Sequence, residues 1–281
     1  HLSRCPNDHS PDVWRLIALN GDSAQLPPVG SDQSPALQLP YLRDSFDLTI
    51  AQLELTEVVR QDQDSGILMN ATTIRNQIRL QPESFPQINA DSYEDITPII
   101  GTELQETIED AYHNPGREDT VIITRSNKRA NQFNQHIRQE ILGHDEELSA
   151  GDYLMVVRNN YFWLEDDKNK YTDFIANGDI IEVKSVLKYF DRYGFRFADV
   201  EIQMLDYPEI EPFEVRMILD TLYDDTPNLG PEKSKALYHY VAEDYLELKS
   251  KSRIHKAIME DPNFNALQVK FAYAITCHKS Q

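Results

Sequence analysis

The sequence predicts a mixed α/β protein that is interrupted by a small β module. Three observations lead to this prediction. A short apolar run at residues 120–124 leads into a helix with one apolar face, short β-rich runs fill residues 151–225, and helical periodicity returns at Pro231. The chain has 281 residues, of which 40% are hydrophobic, so it is long enough for about two domains with a sizeable core.

The first third of the chain predicts one strand and two helices. Residues 14–20 form an apolar run that ends in the turn-rich segment 21–30, as a strand does when it leaves a sheet into a functional loop. An ordinary strand exit is the alternative, because prolines and glycines punctuate any such exit. Apolar residues at helical spacing predict helices over 64–79 and 99–112, and we expect both to pack on a sheet.

The clearest local unit follows these helices. Residues 120–124 indicate a buried strand, Ser126 can cap the next helix, and Gly143 can end it. The β-rich runs of 151–225 predict a small inserted barrel. After it, helices are expected from Pro231 and over 254–259, and the alternation of residues 267–276 predicts one last strand.

Charge and cysteine content exclude several classes of protein. Lys plus Arg number 27 against 47 Asp plus Glu, a net charge of -20, so the chain does not coat nucleic acid through bulk charge and any such site must be a local positive island. The two cysteines, Cys5 and Cys277, exclude a disulfide framework and indicate a reducing compartment. No apolar run approaches the roughly 20 residues of a membrane span, so we expect a cytoplasmic protein with no membrane partner.

Four polar segments form an ordered series along the chain. Segments 21–30 (GDSAQLPPVG), 125–129 (RSNKR) and 276–281 (TCHKSQ) follow predicted strands, and 55–61 reads LTEVVRQ. Ligands of open α/β sheets bind beyond the carboxyl ends of strands, where three of these segments lie. Together the four segments closely resemble motifs of the RecD-like branch of superfamily 1 DNA helicases. The resemblance runs over nearly the whole chain.

The resemblance implies RecA-like domains of the P-loop NTPase type, with a small barrel of the Src-homology-3 type inserted in the second. Residues 1–45 then correspond to the end of the first RecA-like domain and 46–150 to the first part of the second. Residues 151–225 correspond to the barrel and 226–281 to the rest of the second domain, up to motif V. The implied activity is that of an ATP-dependent DNA helicase, which translocates on single-stranded DNA by hydrolysing ATP.

One family element does not occur in the 281 residues. The phosphate loop GxxxxGK[ST] and the Asp-Glu strand that binds Mg²⁺ precede motif III in the family, and the phosphate loop is found nowhere in this sequence. We therefore expect this polypeptide alone not to hydrolyse ATP, and expect it to be a piece of a longer helicase with the Mg²⁺ ligands elsewhere. The alternative is a non-catalytic nucleic-acid or protein binding module derived from a helicase.

Segment 21–30 resembles motif III, whose glutamine senses the terminal phosphate of ATP. The resemblance assigns this catalytic role to Gln25 and places Gly21 and Asp22 of the same loop at the nucleotide. An amide suits the role because it can donate to a phosphate oxygen and accept from water. The alternative is that Gln25 only fastens its own loop.

Segment 55–61 resembles motif IV, whose arginine reaches the γ-phosphate across the cleft between two RecA-like domains. Arg60 is then a catalytic arginine finger, a role that suits its planar and permanently charged guanidinium. Pairing of Arg60 with Glu57 or Asp62 on a solvated face is the alternative. The later residues of motif V approach the nucleotide in the family, which places Gln281 there as well.

A positive island follows the predicted strand at 120–124. It offers three cations at the start of a helix, where backbone N–H groups and the helix dipole favour an anion. In the helicases that the chain resembles, this loop contacts single-stranded DNA, as do the threonine and histidine of motif V; a solvated helix start is the alternative. The implied DNA-binding residues are Arg125, Ser126, Asn127, Lys128, Arg129, Thr276 and His278.

Three further patterns carry weaker hypotheses. Tyr161 and its two aromatic neighbours could stack on bases, although aromatic residues of a small barrel more often form its core. Adjacent strand residues point to opposite faces, so a thiol–imidazole pair of Cys277 and His278 is disfavoured. A zinc site formed by His1, Cys5 and His9 is disfavoured too, because Pro6 discourages the helix that it needs.

Overall fold

The computed structural model describes residues 17–28, 30–46, 48–55, 65–81, 83–90, 92–164 and 171–279. The chain divides into two compact units, His1–Ile99 and Ile100–Gln281. The architecture is mixed α/β, as predicted, and combines a parallel two-stranded sheet with a closed five-stranded barrel. Across the described residues, no helix is both long and apolar enough to cross a membrane.

The first unit contains helices α1 (Leu39–Phe46) and α2 (Gly66–Leu80) in its described part. Helix α2 confirms the helix predicted over 64–79. Its first turn is capped by the Asp95 carboxylate, which accepts from the Gly66 N–H at 2.9 Å and from the Ile67 N–H at 3.2 Å. A Cβ at Gly66 would lie 2.4 Å from Cγ of Tyr93, so the close approach of this ring requires glycine.

The strand predicted over residues 14–20 is not formed in its described part. Residues 17–20 are irregular, and Ile17 and Leu19 are each 48% exposed. The described residues of the first unit contain no strand, so the apolar run has no ladder partner there and α2 packs on no sheet within that unit. The expectation that α2 packs on a sheet is therefore wrong for the described part of this unit.

The second unit holds the sheet, the barrel and four α-helices among its described residues. Its helices are α3 (Leu104–Ala111), α4 (Asn127–His136), α5 (Pro231–Glu243) and α6 (Lys251–Met259). Its strands are β1 (Ile122–Thr124), β2 (Tyr153–Val156), β3 (Ile180–Arg192), β4 (Phe195–Met204), β5 (Phe213–Ile218), β6 (Leu267–Phe271) and β7 (Ala274–Thr276).

The barrel is closed in the order β2-β3-β4-β5-β6. Its neighbours are antiparallel except for β5 and β6, which are parallel. All five residues of β6 are buried, and they close the barrel although they follow α5 and α6 in the chain. The β module predicted at 151–225 is thus a barrel, and it takes its fifth strand from Leu267–Phe271, beyond that range.

The single strand predicted over 267–276 is two strands. Strand β6 belongs to the barrel, whereas β7 pairs with β1 in the separate sheet. The buried Asn134 of α4 lies at the break, where its amide donates to the carbonyls of Phe271 and Ala274 at 3.1 and 3.0 Å and accepts from the Ala274 N–H at 2.7 Å. The amide takes the place of ladder partners at this point, so the chain can pass from one sheet to the other.

The unit around α4 matches its prediction closely. Ser126 caps the helix, and its continuation, a π-helical turn at Ile137–Ile141, ends before Gly143, whose φ of 67° favours glycine. Strand β1 differs in one respect, because Ile123 is 55% exposed and a fully buried strand was expected. The described part of the sheet has only two strands, so nothing there covers that side chain.

Helices α5 and α6 confirm the helices expected from Pro231 and over 254–259. They pack against the outer end of the β3–β4 hairpin and form a second core with it. Helix α3 is shorter than the 99–112 prediction, but its Ile108 joins the core of the barrel. The second core contains Phe195, Phe197, Ile218, Leu229, Leu237, Val241, Ile258 and Ala266.

Candidate nucleic-acid interface

The two predicted DNA-contacting loops leave the same edge of the small sheet. Strands β1 and β7 are parallel, and their last residues, Thr124 and Thr276, are register partners. The Cys277 N–H donates to the Thr124 carbonyl at 2.9 Å, which extends the pairing one residue further. Because the carboxyl ends of parallel strands meet at one edge, the loops after Thr124 and Thr276 lie side by side there.

Helix α4 starts at this edge. The Ser126 hydroxyl oxygen accepts from the Arg129 N–H at 3.3 Å, so Ser126 acts as the N-cap. Arg125, Lys128 and Arg129 are exposed around this first turn, and none of the three forms an ion pair with a described residue. The Arg129 guanidinium lies 5.7 Å from the ring centre of Phe133, which orients it along the helix.

The residues after β7 play different parts. Thr276 is buried and its carbonyl accepts from the Lys279 N–H at 2.8 Å, whereas His278 is exposed at the edge. The Cys277 Sγ lies 3.9 Å from Nδ1 of His278, so the expectation that these side chains point apart is wrong. The strand ends at Thr276, and both residues lie in a turn, where strand alternation does not apply.

The edge continues onto the barrel through Lys279. Its ammonium contacts Oδ1 of Asn177, and burial lowers the pKa of this ammonium. Asn177 is bound in turn to Asn159, whose Oδ1 accepts from the Asn177 N–H at 2.8 Å. Arg158, next in the chain to Asn159, is exposed and forms no ion pair with a described residue. Sequence reasoning included Lys279 in a motif but assigned it no role, and it missed Arg158.

The aromatic residues of the barrel loop divide between surface and core. Tyr161 is 60% exposed and stacks on Phe174 with ring centres 5.0 Å apart. Trp163 packs against the barrel core and donates from Nε1 to the Asn265 carbonyl at 2.9 Å, while Phe162 meets it edge to face. The core interpretation therefore holds for Trp163, and Tyr161 offers its ring at the surface.

A buried ion pair joins the far end of the α4 segment to the barrel. Arg138 is 2% exposed and Asp152 is fully buried, and two hydrogen bonds of 2.9 and 2.8 Å link guanidinium to carboxylate. The same carboxylate accepts from the Ser149 N–H at 2.7 Å and from the Tyr273 hydroxyl at 3.1 Å, and it lies 2.9 Å from Nδ1 of His144. Burial raises the pKa of Tyr273, which favours the hydroxyl as a donor. The helical segment that begins at the edge is thus joined to the barrel by a buried ion pair whose partners are both hydrogen-bonded.

The residues assigned to the nucleotide are only partly within the described chain. In the first unit, Gln25 is exposed and its side-chain amide bonds to no described residue. The Asp22 carboxylate holds the same loop, because it accepts from the Ala24 N–H at 3.0 Å and pairs with Arg75 of α2, and this pairing lowers the pKa of Asp22. Gly21 is exposed at the start of the same loop. Arg60 and Gln281 lie outside the described residues.

The Gln25 amide, which has no partner among the described residues, suits a phosphate contact, because it has both a donor and an acceptor to offer. The described part of the chain contains no group of three or more His, Cys, Asp or Glu side chains arranged to hold a metal ion. His1, Cys5 and His9 lie outside that part.

No protein-family model and no curated protein matches this sequence.

Proposed function

We propose that the edge formed by β1, β7 and the start of α4 binds the phosphate backbone of single-stranded DNA, as part of an ATP-dependent helicase of the RecD-like kind. The register of Thr124 with Thr276 carries this proposal, because it brings two loops that lie far apart in the sequence to one edge. In this proposal the second unit is a RecA-like domain and its barrel is of the Src-homology-3 type.

Charge supports a phosphate ligand at this edge. The chain carries a net charge of -20, and Arg125, Lys128 and Arg129 are nevertheless exposed there without a carboxylate partner among the described residues. The N-terminus of α4 adds partial positive charge from its backbone amides. Acidic side chains that could pair with cations are abundant elsewhere in this chain. Cations that nevertheless have no carboxylate partner among the described residues are expected where a polyanion binds.

The path from the edge to the barrel supports a single strand as the polyanion. From Lys279 it passes Asn177 and Asn159 to the exposed ring of Tyr161, stacked on Phe174. A base that stacks on such a ring gains about 1–3 kcal/mol, and an unpaired strand has its bases free to do so. Cationic groups followed by a surface aromatic are typical of single-strand binding.

The motor function rests on the resemblance and on Gln25. ATP supplies the phosphoanhydride bond whose hydrolysis drives movement along DNA, and the free amide of Gln25 is suited to sense its terminal phosphate. Arg60 is proposed as the arginine finger. A longer polypeptide that includes the phosphate loop should hydrolyse ATP when DNA is added, and Arg60→Ala should slow this hydrolysis about 10³-fold or more. Unimpaired hydrolysis by that variant would rule out the finger role.

The DNA site is tested by reversing charges at the edge. In the double variant Arg125→Glu/Lys128→Glu, we expect binding of a fluorescent oligodeoxythymidylate, followed by anisotropy, to weaken about tenfold or more at low salt. The slope of log K against log salt should fall by about 0.7 for each phosphate that the variant no longer neutralises. The matched control Lys188→Glu/Lys235→Glu makes the same change in net charge on exposed residues of β3 and α5.

If the edge variant binds no more weakly than the control, the edge is not the DNA site. The same titration, together with the ATP hydrolysis assay of the longer polypeptide, separates a helicase from a binding module. A binding module without turnover keeps the salt-dependent DNA binding of the edge, but the longer polypeptide then shows no DNA-dependent ATP hydrolysis.

A further inference from the structure

A second group of exposed cations lies on α6 and immediately before it, apart from the edge in the sequence. The segment 249–256 reads KSKSRIHK, and it carries four permanent cations and one histidine in eight residues. All of these charged side chains are exposed. The residues are Lys249, Lys251, Arg253, His255 and Lys256.

The helix turns these cations away from the protein. Ile258 is fully buried in the second core and Ile254 packs against it, so residues four apart define the inner face of α6. Arg253 and Lys256 lie off that stripe and remain in solvent, and Lys251, three residues before Ile254, is exposed at the first turn of the helix. The outer side of α6 is therefore a convex basic surface, and its inner face packs in the second core.

Among the described residues, a single carboxylate, that of Glu260, forms an ion pair with these cations. Only Lys256 has an ion pair with a described residue, at 3.7 Å to Glu260, and an exposed pair of this kind is weak in water. Several other exposed cations of the molecule are paired more closely, although Lys188 and Lys235 have no ion pair with a described residue. The closer pairs are Arg75 with Asp22, Arg192 with Asp244, Arg196 with Glu147, and Lys233 with Asp224.

The backbone adds a separate observation. Lys249 has φ 53°, a left-handed conformation that glycine or asparagine adopts more readily than lysine. The residue lies immediately before the turn into α6, where a glycine would remove the strain. A lysine at this position puts a fourth cation two residues before Lys251.

We propose that the α6 basic surface (Lys249, Lys251, Arg253 and Lys256) binds the phosphate backbone of double-stranded nucleic acid. Helix α6 has no Phe, Tyr or Trp, and Nδ1 of its one ring, that of His255, lies 3.1 Å from the Tyr238 hydroxyl of α5. Exposed cations on a convex helix contact phosphates without reading bases, and a duplex presents those phosphates in a rigid and regular array. The surface complements the single-strand edge under the proposed helicase function, because such an enzyme meets a duplex ahead of the strand that it holds.

The test compares two DNA probes and two double variants of the full chain. For Lys251→Glu/Arg253→Glu, we expect affinity for a fluorescent blunt-ended hairpin duplex to fall about tenfold at low salt, and the salt slope to fall by about 0.9 for each phosphate left without its cation. Its affinity for oligodeoxythymidylate should change less than about twofold. Arg125→Glu/Lys128→Glu should show the reverse pattern, and Lys188→Glu/Lys235→Glu should leave both affinities unchanged.

Each outcome decides between the proposals. Loss of duplex binding in the α6 variant supports the α6 surface even when the edge variant has no effect, so the two proposals fail separately. Unchanged duplex affinity and salt slope in the α6 variant overturn the inference, as does wild-type protein that binds anionic vesicles or polyglutamate but no duplex. If the α6 variant unfolds in a thermal melt, Lys251→Gln/Arg253→Gln keeps good helix formers at both positions and replaces it.

Discussion

Arg125 and Arg138 belong to the same strand–helix unit, but their surroundings are opposite. Arg138 is 2% exposed, forms two hydrogen bonds with the Asp152 carboxylate, and lies with its guanidinium carbon 4.2 Å from the ring centre of Phe271. Arg125 is exposed and pairs with no described residue. The buried guanidinium is fully partnered because desolvating an unpaired charge costs several kcal/mol. The exposed guanidinium has no such requirement, so its pairing can be left to a ligand.

The comparison separates residues that hold the fold from residues that remain available for binding. The Asp152 carboxylate accepts hydrogen bonds from Arg138 in the π-helical turn that continues α4, from the loop that precedes β2, and from Tyr273, so it ties the α4 segment to the barrel. Among the described residues, the edge cations form no ion pair, and the ring contact of Arg129 with Phe133 lies within α4. Mutations in the first set should therefore change stability, and those in the second should change binding alone.

The largest effect is expected from breaking the buried pair. Arg138→Met keeps much of the side-chain volume but leaves the Asp152 carboxylate buried without its main partner. We expect the free energy of unfolding of the second unit to fall by about 3–5 kcal/mol, as measured by urea denaturation. Arg125→Met makes the same chemical change at the edge and should alter the free energy of unfolding by less than about 0.5 kcal/mol. Equal losses in the two variants would contradict the division between fold and binding residues.

A smaller loss is expected where α4 holds the break between β6 and β7. Asn134→Ala leaves the Ala274 N–H and two buried carbonyls without their side-chain partner. A buried group left unsatisfied costs about 1–3 kcal/mol, so we expect destabilisation of about 2 kcal/mol in the same assay. Gln132→Ala, on the exposed side of α4, is the matched control and should be nearly neutral. A neutral Asn134→Ala would mean that the break does not depend on this amide.

The smallest effect depends on pH and lies in the loop beside α4. The hydrogen bond from Lys233, 2.9 Å from the Asp224 carboxylate, lowers the pKa of Asp224 to about 2 from its ordinary 3.8. A lowered carboxyl pKa means that the pair stabilises the fold above about pH 4, and that this contribution is lost as the pH falls towards 2. Asp224→Asn should therefore be modestly less stable than wild type at pH 7, and the difference should vanish in acid.

The check is urea denaturation of both proteins at pH 7, 4 and 3. Lys233→Gln removes the same pair from the other side and should follow the same course with pH. A stability difference that stays constant down to pH 3 would show that the Asp224 carboxylate acts through something other than its charge.

Much of the local structure could be predicted from the sequence because its causes are local. The spacing of apolar residues, Ser126 as cap, Pro231 at a first turn and Gly143 beyond a helix all act within a few residues of themselves. The cations at the start of α4 could be located in the same way, since a helix N-terminus follows from its cap. Exposure of Tyr161 and the contact between Lys279 and Asn177 could not, because they depend on distant segments.

By itself, the sequence determined the helical segments α2, α4, α5 and α6, the β-rich segment 151–225, and where the positive residues lie along an acidic chain, whereas helix α1 was not predicted. Only the tertiary structure decided that residues 267–276 serve two sheets, that β6 closes the barrel after two intervening helices, and that residues 17–20 form no strand. The physical reason is that a helix satisfies its hydrogen bonds within itself, whereas a strand needs a partner. The choice of partner depends on burial and on contacts such as those of Asn134, which local patterns do not encode.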